Sequence, residues 1–304
     1  MRLLTLPAIA IVLALMVAPM AMLLRYSLNL YTPTELMVEA FTARNYVQLF
    51  ADPYFREVLG VTLKVAALTT GIALLLGLPA GYTLARMPRR WKMWLTLATI
   101  LPLMVGNVVR SAGWMALLGN SGLFNALAQW SGLAREPLQL MFHQPAVVGV
   151  MVTIVLPLMV MTLASVIEGI PRNVEEAAAN LGARPLTAFR RVVLPQAMPG
   201  VIAGMSLVFI LCMNAYATPV LIGGPRFRMM TPEIYQQFVG LNNWPFGAAL
   251  AFMLLAVTLV AVLGIGMALQ AGLRPAKPTA PATFDAPRPP HRPATGSSPA
   301  GSGG

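Results

Sequence analysis

The stretch EEAAANLGARPLTAFRRVVLPQAMPG, Glu175 to Gly200, interrupts an otherwise apolar chain. It holds two adjacent acids, a run of alanines, two glycines, paired arginines and three prolines. Uncharged apolar runs flank it, Pro145 to Ile167 before it and Val201 to Ile222 after it. Local signals make it a small, defined unit. Asn173 can cap a helix, with Glu176 three residues on as in a capping box. Glu175 and Glu176 then lie in the first turn, where the helix dipole favours acids. The alanines are helix formers, and Gly182 is placed to end the helix in a left-handed conformation. Pro185 can open a second short helix, because its missing N–H costs nothing there. Leu194-Pro195 and Pro199-Gly200 then turn the chain into the next apolar run. Small alanines allow close approach of another backbone, and the flanking charges offer contacts. The unit reads either as a docking surface or as an interfacial amphipathic helix with no partner.

Composition decides what surrounds this unit. The chain has 304 residues, 57% hydrophobic and 10% charged, against about 25% charged in soluble domains. So little polar surface cannot cover a water-exposed globule, and a bilayer is the expected solvent for the excess. The net charge is +11, from 21 basic and 10 acidic residues. The aromatics are not interleaved with a basic stripe, which argues against nucleic acid as a partner. The single cysteine, Cys212, lies in an apolar run and reads as a small buried residue.

A spanning helix needs about 20 mostly apolar residues. Six segments qualify, at about 3–26, 60–86, 92–118, 145–168, 198–222 and 246–271. The expected fold is therefore an all-α membrane protein with six transmembrane helices. The first segment reads as a retained anchor rather than a signal peptide, because its apolar run is long and no small-x-small site follows before Arg25. Pro102, Pro157 and Pro219 fall inside spans, where neighbours can satisfy freed carbonyls. Basic residues alternate between connecting segments. Arg86, Arg89, Arg90 and Lys92 lie between spans two and three, and Arg172, Arg184, Arg190 and Arg191 between four and five. The other connections are nearly neutral. Basic short loops face the cytoplasm, so both termini and the loop at 172–197 are expected there. Trp91, Trp94, Trp114 and Trp244 stand near span ends, as interface anchors would. Residues 1–272 form the membrane domain. The Pro-, Ala-, Gly- and Ser-rich stretch 273–304 is expected to be a disordered cytoplasmic tail. Its last residues, GSSPAGSGG, have linker composition and carry no functional reading.

The run Glu176-Ala177-Ala178, then Gly182, then Val192-Val193-Leu194-Pro195 resembles the EAA loop of ABC importer permeases. That pattern is EAA, three residues, Gly, nine residues, an aliphatic, any residue, then Leu-Pro, and all of it is matched. The resemblance extends over roughly residues 1–272. Asn45-Tyr46 with Leu49-Phe50, Thr69-Thr70, Leu84-Ala85-Arg86, Leu101-Pro102, Arg110 with Trp114, Gly223-Gly224 and the run Asn242 to Ala249 look like spermidine/putrescine-type permeases, the first of the two in such operons. The subfamily also handles opines, amino acids and other small polar solutes. The stretch Arg110-Ser111-Ala112-Gly113-Trp114 departs from its arginine–aromatic pattern by lacking a tyrosine before the tryptophan. The resemblance implies a type I importer architecture with a cytoplasmic coupling helix between spans four and five. It implies that Glu175, Glu176, Ala177, Ala178, Gly182, Leu194 and Pro195 couple the spans to an ATPase. The implied partners are a homologous second permease, two ATPase subunits carrying ATP and Mg, and an extracytoplasmic solute-binding protein that meets outer loops three and five. The chain itself would bind no cofactor and sit in the bacterial inner membrane.

Ionisable residues inside a membrane are functional candidates by default. On a straight third span Arg110 falls about 26 Å along the helix, at about 1.5 Å per residue, near the outer interface. It is either a snorkelling cation or a pathway-lining one. Lys64, at the outer end of span two, reads as snorkelling, and Glu168 as part of the loop after span four. No acid lies in a span core, so no strong polycation site is expected within the membrane. Asn107, Asn214 and Tyr216 are polar candidates for a weak, wet pathway, with packing as the alternative reading. Competing classes lack their chemistry. His143 and His291 lie outside the spans, and no HExxH, GxSxG or intramembrane carboxylate pair appears, against a membrane-embedded enzyme. A stand-alone secondary transporter would want ionisable groups for ion coupling. No GxxxxGK[ST] phosphate loop is present, so an ATPase would be a separate chain.

Overall fold

The computed structural model describes residues 2–271, with side chains for 11–269. The expected tail at 273–304 lies outside the described residues. The architecture is helical: α1 (Arg2–Ser27), α2 (Arg44–Ala51), α3 (Pro53–Arg86), α4 (Arg89–Met104), α5 (Asn107–Leu118), α6 (Leu123–Trp130), α7 (Gln144–Glu168), α8 (Asn173–Asn180), α9 (Pro185–Ala188), α10 (Leu194–Met213), α11 (Met230–Tyr235) and α12 (Trp244–Ala271).

The centre of the bundle is α7, packed between α3 and α10. Its buried residues include Met151, Val155, Met159, Leu163 and Ile167. Two pairs of glycines let the neighbours close on it. A Cβ on Gly81 of α3 would lie 2.9 Å from Leu163 Cβ, and one on Gly200 of α10 would lie 2.5 Å from Val166 Cγ2. Gly77 and Gly204 repeat this one helical turn away, both against Met159. Lipid is as apolar as leucine, so close van der Waals contact between such small-residue faces drives helix association in a membrane. The outer helices show the opposite character. No residue of α4 is buried, and α1 and α12, which pack together, expose Leu15, Met16, Leu259, Val260 and Met267. Apolar surface this extensive faces lipid or a partner chain.

Among the described residues, four helical units are long and apolar enough to span: α3, α7, Pro185–Met213 and Trp244–Leu269, with the bent pair Arg89–Met104 and Asn107–Trp130 a fifth if it is one crossing. The predicted first span is helical in α1, with its first residues' side chains outside the described set. Two expected spans take other forms. The third is not straight: the chain turns by 95° between α4 and the unit Asn107–Trp130 formed by α5 and α6. Pro102 weakens the last turn of α4, and Val105 and Gly106 are extended. The depth assigned to Arg110 along a straight helix is therefore wrong. The fifth span ends at Met213, not Ile222. The chain opens after Asn214, and Pro219 starts a separate π turn, Pro219–Gly223. At its other end α10 begins earlier than expected. Pro195 and Pro199 do not turn the chain but lie within a continuous helical run, entered through a π turn at Phe189–Val193. The wider π turn rearranges the backbone bonds just ahead of Pro195, which has no N–H to give. By contrast Pro157 stays inside an unbroken α7.

The α3 helix has 34 residues, about 51 Å at 1.5 Å per residue, well beyond the roughly 30 Å of hydrocarbon. It starts where Asp52 accepts a hydrogen bond from the Tyr54 N–H at 2.9 Å, with Pro53 next. Its far end carries Tyr82 and Arg86 to the start of α8. Lys64 lies well inside α3 and is exposed. The segment after α1 is tied down by Asn45, whose buried amide donates to the carbonyls of Ser27 (2.8 Å) and Asn29 (2.9 Å). Tyr46 meets the Ser27 hydroxyl at 2.8 Å. On α11, buried Glu233 accepts from Arg228 at 2.8 Å, a bond that raises the Arg228 pKa further.

Candidate functional site

The Glu175–Gly200 stretch folds as a helix, a left-handed turn and a second helical run. Within α8 the backbone starts one residue earlier than the capping reading expects. Arg172, in αR conformation, is the N-cap residue, and its carbonyl accepts from the N–H groups of Glu175 (3.0 Å) and Glu176 (3.1 Å). No side chain caps the helix, so the predicted capping box through Asn173 does not form. Glu175 is drawn elsewhere. Its carboxylate pairs with Arg86 and accepts from the Tyr82 hydroxyl at 2.7 Å, both on α3. Arg86 also donates to the Ile170 carbonyl (3.0 Å), and Arg172 returns a bond to the Arg86 carbonyl (2.8 Å). The Tyr82 ring packs edge-on against Phe189, with centroids 4.9 Å apart. The start of α8 is thus fastened to the end of α3, and the run after it to the same tyrosine.

The C-terminus of α8 follows the sequence reading. Gly182 has φ +82°. Its N–H donates to the Ala179 carbonyl (2.8 Å), and Ala183 N–H donates to Ala178 (3.0 Å), the paired bonds of a Schellman turn. Pro185 opens α9. This geometry turns one face inward and another outward. Glu175, Ala188 and Val193 are partly or fully buried, while Glu176, Ala177 and Pro195 are exposed and Ala178 and Leu194 half-buried. Leu181 and Leu186, on either side of the turn, are 90% and 68% exposed. Two leucines held out at a rigid turn, with Arg184, Arg190 and Arg191 exposed beside them, form an apolar contact point with a basic rim.

Sequence reasoning did not single out Tyr82, Arg86, Leu181 or Leu186 for this unit. The pair Tyr82 and Arg86 was visible as an i, i+4 face at the end of a span. Its meeting with Glu175, far along the chain, was not.

The four polar candidates of the spans do meet. Asn107, Arg110, Asn214 and Tyr216 line one cleft of about 320 Å³ between the α4–α5 bend, α7 and the open segment after α10. Arg110 donates to the Ile154 carbonyl of α7 at 3.1 Å and to the Asn107 side chain. Asn214 donates back to the Ile210 carbonyl at 2.8 Å, and Tyr216 packs against Tyr235 with ring centroids 4.9 Å apart. Ser111 and Thr218, both buried, bond at 2.9 Å and hold α5 to the chain after α10. No acid lines this cleft. The break in the third helix, which the sequence did not reveal, is what brings Arg110 and Asn107 onto α7. Glu168 closes α7 and pairs with Lys92 at the start of α4.

Residues 73–271 match the family model described as binding-protein-dependent transport system inner membrane component. The chain is 36% identical over 225 residues to the spermidine/putrescine transport system permease protein PotB of Escherichia coli (strain K12), covering 74% of this chain and 80% of that one. It is 31% identical to the molybdenum transport system permease protein ModB of Mycobacterium bovis (strain ATCC BAA-935 / AF2122/97), covering 72% and 81%. Among solved structures, the bacterial alginate ABC transporter in complex with alginate pentasaccharide-bound periplasmic protein superposes with a TM-score of 0.74 at 16% identity, covering 90% of this chain and 94% of that one.

Proposed function

This chain belongs to the family of binding-protein-dependent transport system inner membrane components, and from that membership we propose that α8 and the turn after it are the joint through which a separate ATPase drives its spans. The protein is a membrane permease, a transport subunit of an ABC importer rather than an enzyme. The observation that carries the joint is the fastening of Glu175 to Tyr82 and Arg86, with Leu181 and Leu186 held outward on the other side. A push on the leucines is delivered to the end of α3, and α3 packs along α7 and α10. Gly182, by fixing the turn, keeps the exposed face in register with the buried one. Leu194 and Pro195 begin the helix that carries the same movement into α10.

In this reading one copy pairs with a homologous second permease and two ATPase subunits that bind ATP and Mg. An extracytoplasmic binding protein delivers the solute to the loops before α7 and after α10. The basic segments around α8 face the cytoplasm with both termini, following the bias of arginine and lysine. The cleft of Asn107, Arg110, Asn214 and Tyr216 lines the path as a weak polar surface, and selection rests with the binding protein. The solute is small and polar, of the polyamine or the amino-acid and opine class. Permeases similar to this one are named for solutes as different as spermidine and molybdenum, so the binding protein is where the solute is read.

Purification of the tagged protein from mild detergent, with the accompanying chains identified by mass, tests this directly. An ATPase and a second multi-span chain are expected, and the binding protein can then be screened for ligands. Recovery of this chain alone, from a detergent that keeps comparable complexes intact, would overturn the joint.

A further inference from the structure

A concavity of about 960 Å³ opens where the ends of α3 and α7 meet the start of α4. Its rim carries Arg86, Arg89, Lys92 and Arg172 against one acid, Glu168. The pairings leave charge over. Lys92 is matched by Glu168 and Arg86 by Glu175. Arg172 donates to a backbone carbonyl, and Arg89 is exposed and meets no carboxylate among the described residues. Two guanidinium groups therefore face the cavity without a counter-charge.

The rim is continuous with an apolar stripe. Met93 and Leu97 line the cavity, and Leu101 and Met104 extend the same face of α4 at helical spacing, all four exposed. Trp91 and Trp94 stand exposed beside it, the residue type that anchors between headgroups and acyl chains. Free phosphate would use the rim and gain nothing from the stripe. A partner helix would cover the stripe but leave two cations needing acids. A molecule with a negative head and an apolar tail satisfies both.

We propose that this cleft binds an anionic phospholipid, its phosphate against Arg89 and Arg172 and its acyl chains along the Met93–Met104 face of α4. The assignment holds whether or not α8 meets an ATPase. Arg172 directly precedes α8 and bonds the backbone of Arg86, so the headgroup sits at the base of that helix. Basic pockets between spanning helices recognise lipid headgroups electrostatically, each basic residue contributing about fivefold in affinity.

The test is native mass spectrometry of the full chain in neutral micelles, with phosphatidylglycerol and phosphatidylcholine of matched chains added in equal amounts. Phosphatidylglycerol is expected to be retained over phosphatidylcholine by about tenfold or more. Arg89→Gln should cut that preference about fivefold, and Arg89→Gln with Arg172→Gln should bring it close to unity. The double Lys variant should keep most of it, and Arg135→Gln, in an exposed loop, should keep all of it. Millimolar inorganic phosphate should leave the lipid bound. Equal retention of the two lipids overturns the proposal, as does a wild-type preference in the double Gln variant. Displacement by inorganic phosphate would show a soluble-anion site instead. A copurified chain cross-linked to Leu97→Cys in place of lipid would show that protein covers the stripe. If the double Gln variant does not fold, Arg89→Gln and the double Lys pair decide the matter.

Discussion

Replacing Glu175 by alanine attacks the fastening of α8 at one point. The carboxylate and its partner Arg86 are 19% and 14% exposed, between the exposed ion pairs that contribute about 0–1 kcal/mol and the buried pairs whose breakage costs about 3–5 kcal/mol. The variant loses the ion pair, leaves Arg86 nearly enclosed without a counter-charge, and removes the acceptor of the Tyr82 hydroxyl. A cost of about 2–3 kcal/mol follows. It falls locally, because α8 has only eight residues and isolated helices shorter than about 12–15 residues are marginal in water. Undocking α8 therefore means losing it. At about 1.4 kcal/mol per tenfold, the amides of residues 173–183 should exchange with deuterium about 30-fold faster or more, while those of α7 stay protected. Tyr82→Phe keeps the ring against Phe189 and loses only the bond to the carboxylate, so exchange should rise about tenfold. In the assembled transporter Glu175→Ala should leave basal ATP hydrolysis and weaken its stimulation by the loaded binding protein. Exchange within twofold of the wild type, with normal stimulation, would refute the idea that Glu175 anchors the joint.

Other changes probe separate links. Gly182→Pro should leave membrane insertion intact but uncouple ATP hydrolysis from uptake, since proline cannot adopt the φ of +82° that the turn requires; uptake and hydrolysis measured on the same vesicles check it. Leu181→Asp with Leu186→Asp should keep the melting temperature, because both side chains are exposed, and should lose the copurified ATPase. Gly81→Leu places a side chain where even a Cβ lies 2.9 Å from Leu163 Cβ, and should destabilise the α3–α7 contact by about 1–3 kcal/mol, read as a lowered melting temperature in detergent.

Much of the fold was legible because the bilayer imposes a simple rule on composition and length. The uncharged runs gave α7 and α12 nearly to their ends, and the punctuation around Gly182 gave α8, the left-handed turn and the start of α9. The misplaced boundaries have one physical origin. Proline can be absorbed in a helix, as Pro157 is, can weaken a last turn, as Pro102 does two residues before α4 ends, or can open a new turn, as Pro219 does after the chain has already left α10. Which happens depends on the neighbours: Gly106 frees the chain after α4, and the Ser111–Thr218 bond holds the two broken segments together. No local pattern shows that bond. Asn173 read as a cap, yet its helix is set by a carboxylate reaching to α3. The polar residues of the cleft were visible individually, and their convergence depended on the 95° bend that the straight-span reading hid. Gly77 and Gly81, and likewise Gly200 and Gly204, are small residues at i, i+4 in apolar helices, a local pattern that marks close packing.

The most direct test of the central claim is a cross-link from α8 itself. A short cysteine-to-amine reagent attached at Ala177→Cys, on the exposed face of the helix, would be applied to membrane vesicles holding the intact transporter, and the product identified by mass. Cys212 is buried and should not compete. The account predicts a cross-link to a separate ATPase chain, altered in yield when a non-hydrolysable ATP analogue is present, and none from the control Leu127→Cys on α6. A reagent that reaches only lipid or the chain itself, in vesicles shown to import solute, would contradict it.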